Sequence, residues 1–127
     1  MTDINIGAIL ESLNNKANVG HQVVAFQAPT ADNNYTWYRL YADGWVEQGG
    51  QTNYSTGGKT INLPIEMADT NYYVAVTIYS NQGFSASGGN TPAHSCVAVS
   101  TTQIRVNQEN ASSKKSYWEV KGMAATN

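Results

Sequence analysis

Asp43 and Glu47, in the stretch DGWVE, are the residues of this chain that come nearest to an acid–base pair. A glycosidase holds two carboxylates at a defined separation across a sugar ring, so the pair raises the question of hydrolysis. The surrounding residues answer it differently. Asp43 precedes Gly44 and supplies turn geometry, while Glu47 lies among aromatic residues on a strand, placed to bond a backbone amide or Arg39 of another strand or subunit. The sequence therefore predicts no enzyme, no catalytic residue and no cofactor. His94-Ser95-Cys96 offers the residue types of a base and a nucleophile, but adjacent residues in a strand point to opposite faces and nothing marks an activated thiol. Cys96 reads as a small buried apolar residue, and as the single cysteine it excludes an intramolecular disulfide. A metal at His94 would need further ligands to complete its geometry, so none is predicted.

Binding chemistry is better supplied. Tyr and Trp bury area while keeping a polar tip, which suits a core, a subunit interface and sugar stacking alike. Most of Trp37, Tyr38, Tyr41, Trp45, Tyr72 and Trp118 are expected to be structural. Tyr54, Tyr79 and Phe84 stand in or beside polar segments, where an aromatic has less core to join and more chance of facing a ligand. Phe84 is the favoured one, the alternative being that its ring tucks back onto the sheet. Asn81, Gln82, Ser85, Ser87, Asn90 and Thr91 add donors and acceptors suited to hydroxyl-rich glycans.

The elements that must carry these residues follow from periodicity. WYRLYADGWVEQGG, residues 37–50, reads as a hairpin about Asp43-Gly44, because Asp-Gly tolerates the positive φ of a tight turn. With a two-residue turn, Tyr38, Leu40, Ala42 and Trp45 share one face and Trp37, Tyr41 and Val46 the other. Neither face is made for water, so both are expected to meet something: a core on one side, a neighbouring subunit or ligand on the other. Further strands are expected at 22–27, 36–42, 45–51, 59–63, 72–79, 97–99, 103–107 and 116–121. YYVAVTIY, 72–79, is the expected central strand, and Pro64 ends the strand before it. Residues 52–58, 80–94 and 108–115 are too polar and Gly-rich for a core. The N-terminal segment differs, with Ile6, Ile9, Leu10, Leu13 and Ala17 at helical spacing over 3–17 and Asp3 or Asn5 as cap. Its apolar stripe fits either a short three-stranded coiled coil, acting as a stem, or an amphipathic helix lying on its own domain.

The predicted fold is thus all-β, an antiparallel β-sandwich of about eight short strands behind a short N-terminal helix. Residues 1–20 are read as a helical stem or linker and 21–127 as the β-sandwich domain. The 127 residues, 41% of them hydrophobic, suffice for one core and not comfortably for two. With 13% charged residues and a net charge of -2, the chain lacks the electrostatic footprint of a nucleic-acid or anionic-membrane binder. The N-terminus has neither the basic segment nor the apolar core of a signal peptide, and no run of about 18 apolar residues suggests a span, so a soluble protein is expected.

Several of these segments together resemble the C-terminal domain of bacteriophage tail fibres. In that family a strand of the form Y-R-x-Y-x-D-G-W-x-E-Q-G-G precedes a leucine-proline strand end and a YxV strand, and the chain closes on W-x-x-x-G. The matching residues are Tyr38, Arg39, Tyr41, Asp43, Gly44, Trp45, Glu47, Gln48, Gly49 and Gly50, then Leu63 to Ile65, YYVAVTIY, and Trp118 with Gly122. The resemblance covers roughly residues 35–122, and LNNKANV at 13–19 is similar to segments just upstream of tail-fibre tips. It implies a homotrimeric tip, made in the host cytoplasm and carried on the virion, that attaches to a bacterial surface polysaccharide or outer-surface protein. A neighbouring subunit would then account for the apolar second face of the hairpin. The chain departs from a whole fibre in length, which reads as an excised tip or a short stand-alone fibre. Some tips bind iron through His-x-His, but His21 and His94 stand far apart and that site is not carried over. A purely structural trimerisation or capping domain and a monomeric carbohydrate-binding module are the alternatives.

Overall fold

A computed structural model of the chain describes residues 5–14, 20–53, 58–79, 93–109 and 115–126. The described chain runs α1 (Ile6–Asn14), β1 (Val23–Gln27), a short 3-10 turn (Ala31–Asn33), β2 (Trp37–Tyr41), β3 (Trp45–Asn53), β4 (Lys59–Asn62), β5 (Tyr73–Tyr79), β6 (Ala93–Ala98), β7 (Gln103–Glu109) and β8 (Lys115–Met123). The eight strands form two antiparallel sheets, one ordered β1-β2-β3-β8-β5 and the other β4-β7-β6. Their inner faces share one core, in which Leu40, Val46, Val120, Ile104 and Val106 are fully excluded from solvent. The all-β expectation holds at this level.

Alternation explains the core. Along β8, Ser116, Trp118 and Val120 point inward; along β7, Ile104 and Val106 do, with more exposed residues between them. Gln48 is also fully buried, and its amide is satisfied. Nε2 donates to the Ile65 carbonyl at 2.9 Å, and Oε1 accepts from the Ile65 amide at 2.9 Å. This side chain fastens β3 to the irregular segment that follows β4, serving the Ile65 backbone at a point where no ladder runs.

The hairpin corrects the expected register. Gly44 N donates to the Tyr41 carbonyl at 2.9 Å, and of the turn residues only Gly44 has a positive φ, +92°. The loop between strands is therefore Ala42, Asp43 and Gly44, a type I turn closed by a left-handed glycine, instead of the two-residue turn. Asp43 Oδ1 accepts from Trp45 N at 3.1 Å and holds it. Leu40 now faces Val46 across the ladder, so Val46 goes to the core and Trp45 to the outer face with Trp37 and Tyr41, the reverse of the expectation. One residue in the turn exchanges the faces of the whole second strand.

Other boundaries also move. YYVAVTIY supplies β5, which ends the five-stranded sheet and pairs only with β8 within it; β3 takes the central place. Its apolar composition reflects an adjoining second sheet: Cys96 of β6 places Sγ 3.6 Å from the Val74 carbonyl. The strand expected at 97–99 begins at Ala93, and Thr52, assigned to a polar segment, is a buried residue of β3. In these cases strand pairing overrides a polar sequence, because every ladder bond satisfies a backbone group.

Asn5 caps α1, accepting from Ala8 N at 2.8 Å through its side chain. Ile6 and Leu10 are buried in the domain core, Leu10 against the hairpin turn at Gly44. The helix thus lies on its own domain, and a coiled-coil seam through Ile6, Ile9 and Leu13 would have to give up the burial of Ile6. The side chain of Leu13 and all of Ala17 lie outside the described residues.

Candidate ligand-binding face

With the inner face of the five-stranded sheet committed to the core, register places the remaining residues in rows on its outer face. Beside the hairpin turn stand Val23, Tyr41, Trp45 and Met123, followed by a row of Phe26, Arg39, Glu47, Lys121 and Tyr73. Next come Trp37, Gly49, Glu119 and Ala75, and then Gln51, Tyr117 and Thr77. A shift in register between Val23 and Ala25 turns both Val23 and Phe26 outward, 46% and 60% exposed. Tyr73, Tyr117 and Met123 are likewise exposed large side chains.

The carboxylates are held in structural bonds. Glu47 Oε1 accepts from Arg39 Nη1 at 3.4 Å and from the Tyr41 hydroxyl at 3.4 Å, and Oε2 accepts from Trp45 Nε1 at 3.3 Å. Its partner Arg39 lies 5.2 Å above the Trp37 ring, within cation–π range. Asp43 Oδ2 lies 2.7 Å from His21 Nδ1. A carboxylate can only accept, so the imidazole nitrogen carries the proton. The ring of His21 stacks on Tyr41 with centroids 4.1 Å apart. The hydrogen bond from His21 holds the Asp43 carboxyl below the usual aspartate range, opposite to what a general acid at neutral pH requires.

The nucleophile types are no better placed. Cys96 is partly buried, and burial pushes its thiol pKa up, away from the thiolate. Ser95 lies on the outer side of β6, where Asn107 Nδ2 donates to its Oγ at 3.5 Å. Among the described residues no group of three or more His, Cys, Asp or Glu is arranged to hold a metal ion.

The outer face is instead hollowed into a trough. Trp37 lies across Gly49: a Cβ on that glycine would stand 2.7 Å from Trp37 Nε1 and 2.6 Å from the Trp118 carbonyl oxygen. No side chain larger than hydrogen fits, so the indole drops onto the strand. To one side of it a depression of about 260 Å³ is lined by Trp37, Gly50, Ala75, Thr77, Tyr117, Trp118 and Glu119. To the other, one of about 250 Å³ is lined by Pro29, Tyr35, Trp37, Gly50, Gln51 and Tyr117. Their shared walls make them one trough. A third depression, of about 240 Å³, continues past Tyr35 and Gln51 to Asn34, Asn53, Lys59 and Lys115. Glu119 Oε1 is 3.5 Å from Lys121 Nζ, so the Glu119 end of the trough carries balanced charge, while Lys59 and Lys115 stand in the third depression.

Tyr35 reaches its mouth through strained backbone. Asn34 and Tyr35 both adopt left-handed conformations, φ 57° and 55°. Asn tolerates this region, whereas for Tyr the cost is about 1 kcal/mol or more. Surrounding bonds enforce it: Tyr35 N donates to the Thr30 carbonyl at 2.8 Å, Gln51 N to the Asn34 carbonyl at 3.0 Å, and Asn33 Oδ1 accepts from Thr30 N and Thr36 N at 3.1 and 2.9 Å. The Tyr35 residue remains 44% exposed.

Of the binding residues expected from sequence, Tyr54, Asn81, Gln82, Phe84, Ser85, Ser87, Asn90 and Thr91 lie outside the described residues, as does the side chain of Tyr79, the last residue of β5. The motif residues divide between the faces. Tyr38, Gln48 and Trp118 are core, and burial raises the Tyr38 hydroxyl pKa; Trp37, Arg39, Tyr41, Trp45 and Glu47 are outward. Gly122 faces inward, where a Cβ would meet Met67 and Tyr72 at 3.0 Å. Sequence reasoning missed Tyr35, Gln51, Thr77 and Glu119 as neighbours of Trp37 and Tyr117. The alternation of β8 signals Tyr117 and Glu119, but only the pairing of β8 with β3 brings them to Gln51 and Gly49. No protein-family model, curated protein or solved structure matches the chain.

Proposed function

We propose that this chain is the receptor-binding tip of a bacteriophage tail fibre, a homotrimeric module that binds a surface glycan without catalysis. The observation that carries the reading is the outer face of the five-stranded sheet. The domain fills its core with the inner face, yet the outer one still presents Phe26, Trp37, Tyr41, Trp45, Tyr73 and Tyr117. A monomer with no partner gains nothing from such an array, whereas a subunit or a sugar-rich receptor covers it. The resemblance of the 37–50 hairpin and its companion segments to tail-fibre tips supplies the biological setting. The engagement of Glu47 and Asp43 by Arg39, Tyr41, Trp45 and His21 supports binding over hydrolysis. Three copies on one rigid tip would convert weak single sites into useful avidity.

The test is the solution mass by multi-angle light scattering across a wide dilution range, paired with adsorption of labelled protein to a panel of bacteria. A stable mass of three chains together with strain-selective adsorption is expected. A monomer at every concentration, or no adsorption to any strain, would sink the reading. Release of oligosaccharide from purified capsule or lipopolysaccharide would overturn its non-enzymatic part.

A further inference from the structure

We propose that the trough walled by Tyr35, Trp37 and Tyr117 is a sugar subsite that takes one neutral pyranose residue of a bacterial surface polysaccharide; this rests on the receptor-binding reading above. The shape and the chemistry agree. A pyranose has apolar C–H faces and a belt of hydroxyls. The trough offers aromatic surfaces at Trp37 and Tyr117, interrupted by the Gln51 amide, the Thr77 hydroxyl and the Glu119 carboxylate. Each half, of about 250–260 Å³, is smaller than a site for a drug-sized ligand, and the half walled by Tyr35, Trp37 and Tyr117 takes the single ring. With Glu119 paired to Lys121, the groups that line the trough itself carry no net charge, which suits a neutral sugar; Lys59 and Lys115 belong to the next depression.

The backbone at Tyr35 is the second, independent observation. Two successive left-handed residues that are not glycine cost conformational energy, and the loop's hydrogen bonds run through its backbone and Asn33. What the strain achieves is the position of an exposed aromatic ring at the trough mouth, and such strain concentrates at ligand clamps. A second copy of the chain is a poorer occupant. It would suit the apolar rows at the hairpin end, where Val23, Phe26 and Met123 are exposed. In the trough it would have to pair Gln51 and Thr77, which a hydroxyl-rich ring does as it stands.

The experiment prints a panel of purified bacterial polysaccharides and probes them with the full chain, with Tyr35→Gly and Tyr117→Ala, and with Val97→Ser on the outer face of the other sheet. Melting temperature and solution mass are recorded for each variant. Both trough variants should lose about tenfold or more in affinity, as truncation of an aromatic anchor does, while Val97→Ser binds as the parent does. Tyr35→Gly should melt close to the parent, since relief of the left-handed strain offsets the conformational freedom that glycine adds to the unfolded chain. Equal binding by parent and trough variants would overturn the subsite and leave the receptor-binding reading standing. A fall in mass of the trough variants would overturn it by making the face a subunit interface. Failure of the parent to bind any polysaccharide also overturns it, and adsorption to whole bacteria then decides whether the tip reading falls with it.

Discussion

Gln48 grips Ile65 by both atoms of its amide, giving the backbone of an irregular segment the donor and the acceptor that a neighbouring strand would otherwise supply. The glutamine belongs to the aromatic hairpin and the isoleucine to the leucine-proline segment, so the bond couples two parts of the sequence pattern within the core. Met67 adds to the joint, its Sδ lying 3.2 Å from Gln48 Nε2 and its backbone bridging to Ala124.

Gln48→Leu keeps the volume and leaves the buried Ile65 N–H and C=O without partners. The expected loss is about 2–6 kcal/mol of unfolding free energy, since each of the two unsatisfied buried groups costs roughly 1–3 kcal/mol. Urea unfolding followed by circular dichroism measures it; a change within about 0.5 kcal/mol, the usual range for neutral surface changes, would contradict the bridge.

Gly49→Ala forces a methyl group against the Trp118 carbonyl and the Trp37 indole. The first contact is backbone and cannot give way cheaply, so a cost of about 1–3 kcal/mol is expected. The indole must also lift, and tryptophan emission should shift as its surroundings change. An unaltered melting temperature and spectrum would show that Trp37 does not lie across the glycine.

Leu10→Ala tests where the helix belongs. Leu10 is 8% exposed within the domain core, and its truncation should cost about 2–4 kcal/mol by opening a cavity. Because the helix packs on its own domain, the solution mass should stay the same. A fall in mass with unchanged domain stability would place the helix in a seam between chains.

The Asp43 carboxyl titrates below its ordinary range when folded, because His21 donates to it. Its contribution to stability is therefore complete above the unfolded aspartate pKa, about 4, and is lost as pH falls through the lower folded value. Asp43→Asn, which keeps the acceptor for Trp45 N, should flatten the acid limb of the stability curve below about pH 4 and leave the fold intact at neutral pH. An acid limb identical to the parent's would show that the pair contributes nothing.

Local chemistry made much of this legible in the sequence. Asp43-Gly44 marks the hairpin, alternation marks β7 and β8, and Asn5, one of two cap candidates with Asp3, accepts from Ala8 N at the helix start. Its limits are equally local. The turn length is not legible there, because Asp-Gly serves two turn types, and the register adopted is the one that buries Val46 and turns Trp45 outward. The place of β5 at a sheet end was hidden because its apolar run answers to a second sheet, which no periodicity within the strand records.

By itself the sequence determined the class of fold and the supply of aromatic and amide groups, since side-chain period and turn chemistry act over a few residues. Only the tertiary structure decided which aromatics share a surface. Tyr35, Trp37, Gln51, Thr77 and Tyr117 come from four separate stretches of chain, and the antiparallel pairing of β3 with β2 and β8, and of β8 with β5, brings them together. Strand pairing is a long-range agreement between segments, settled by the burial of their inner faces, and the outer face inherits whatever register that burial selects.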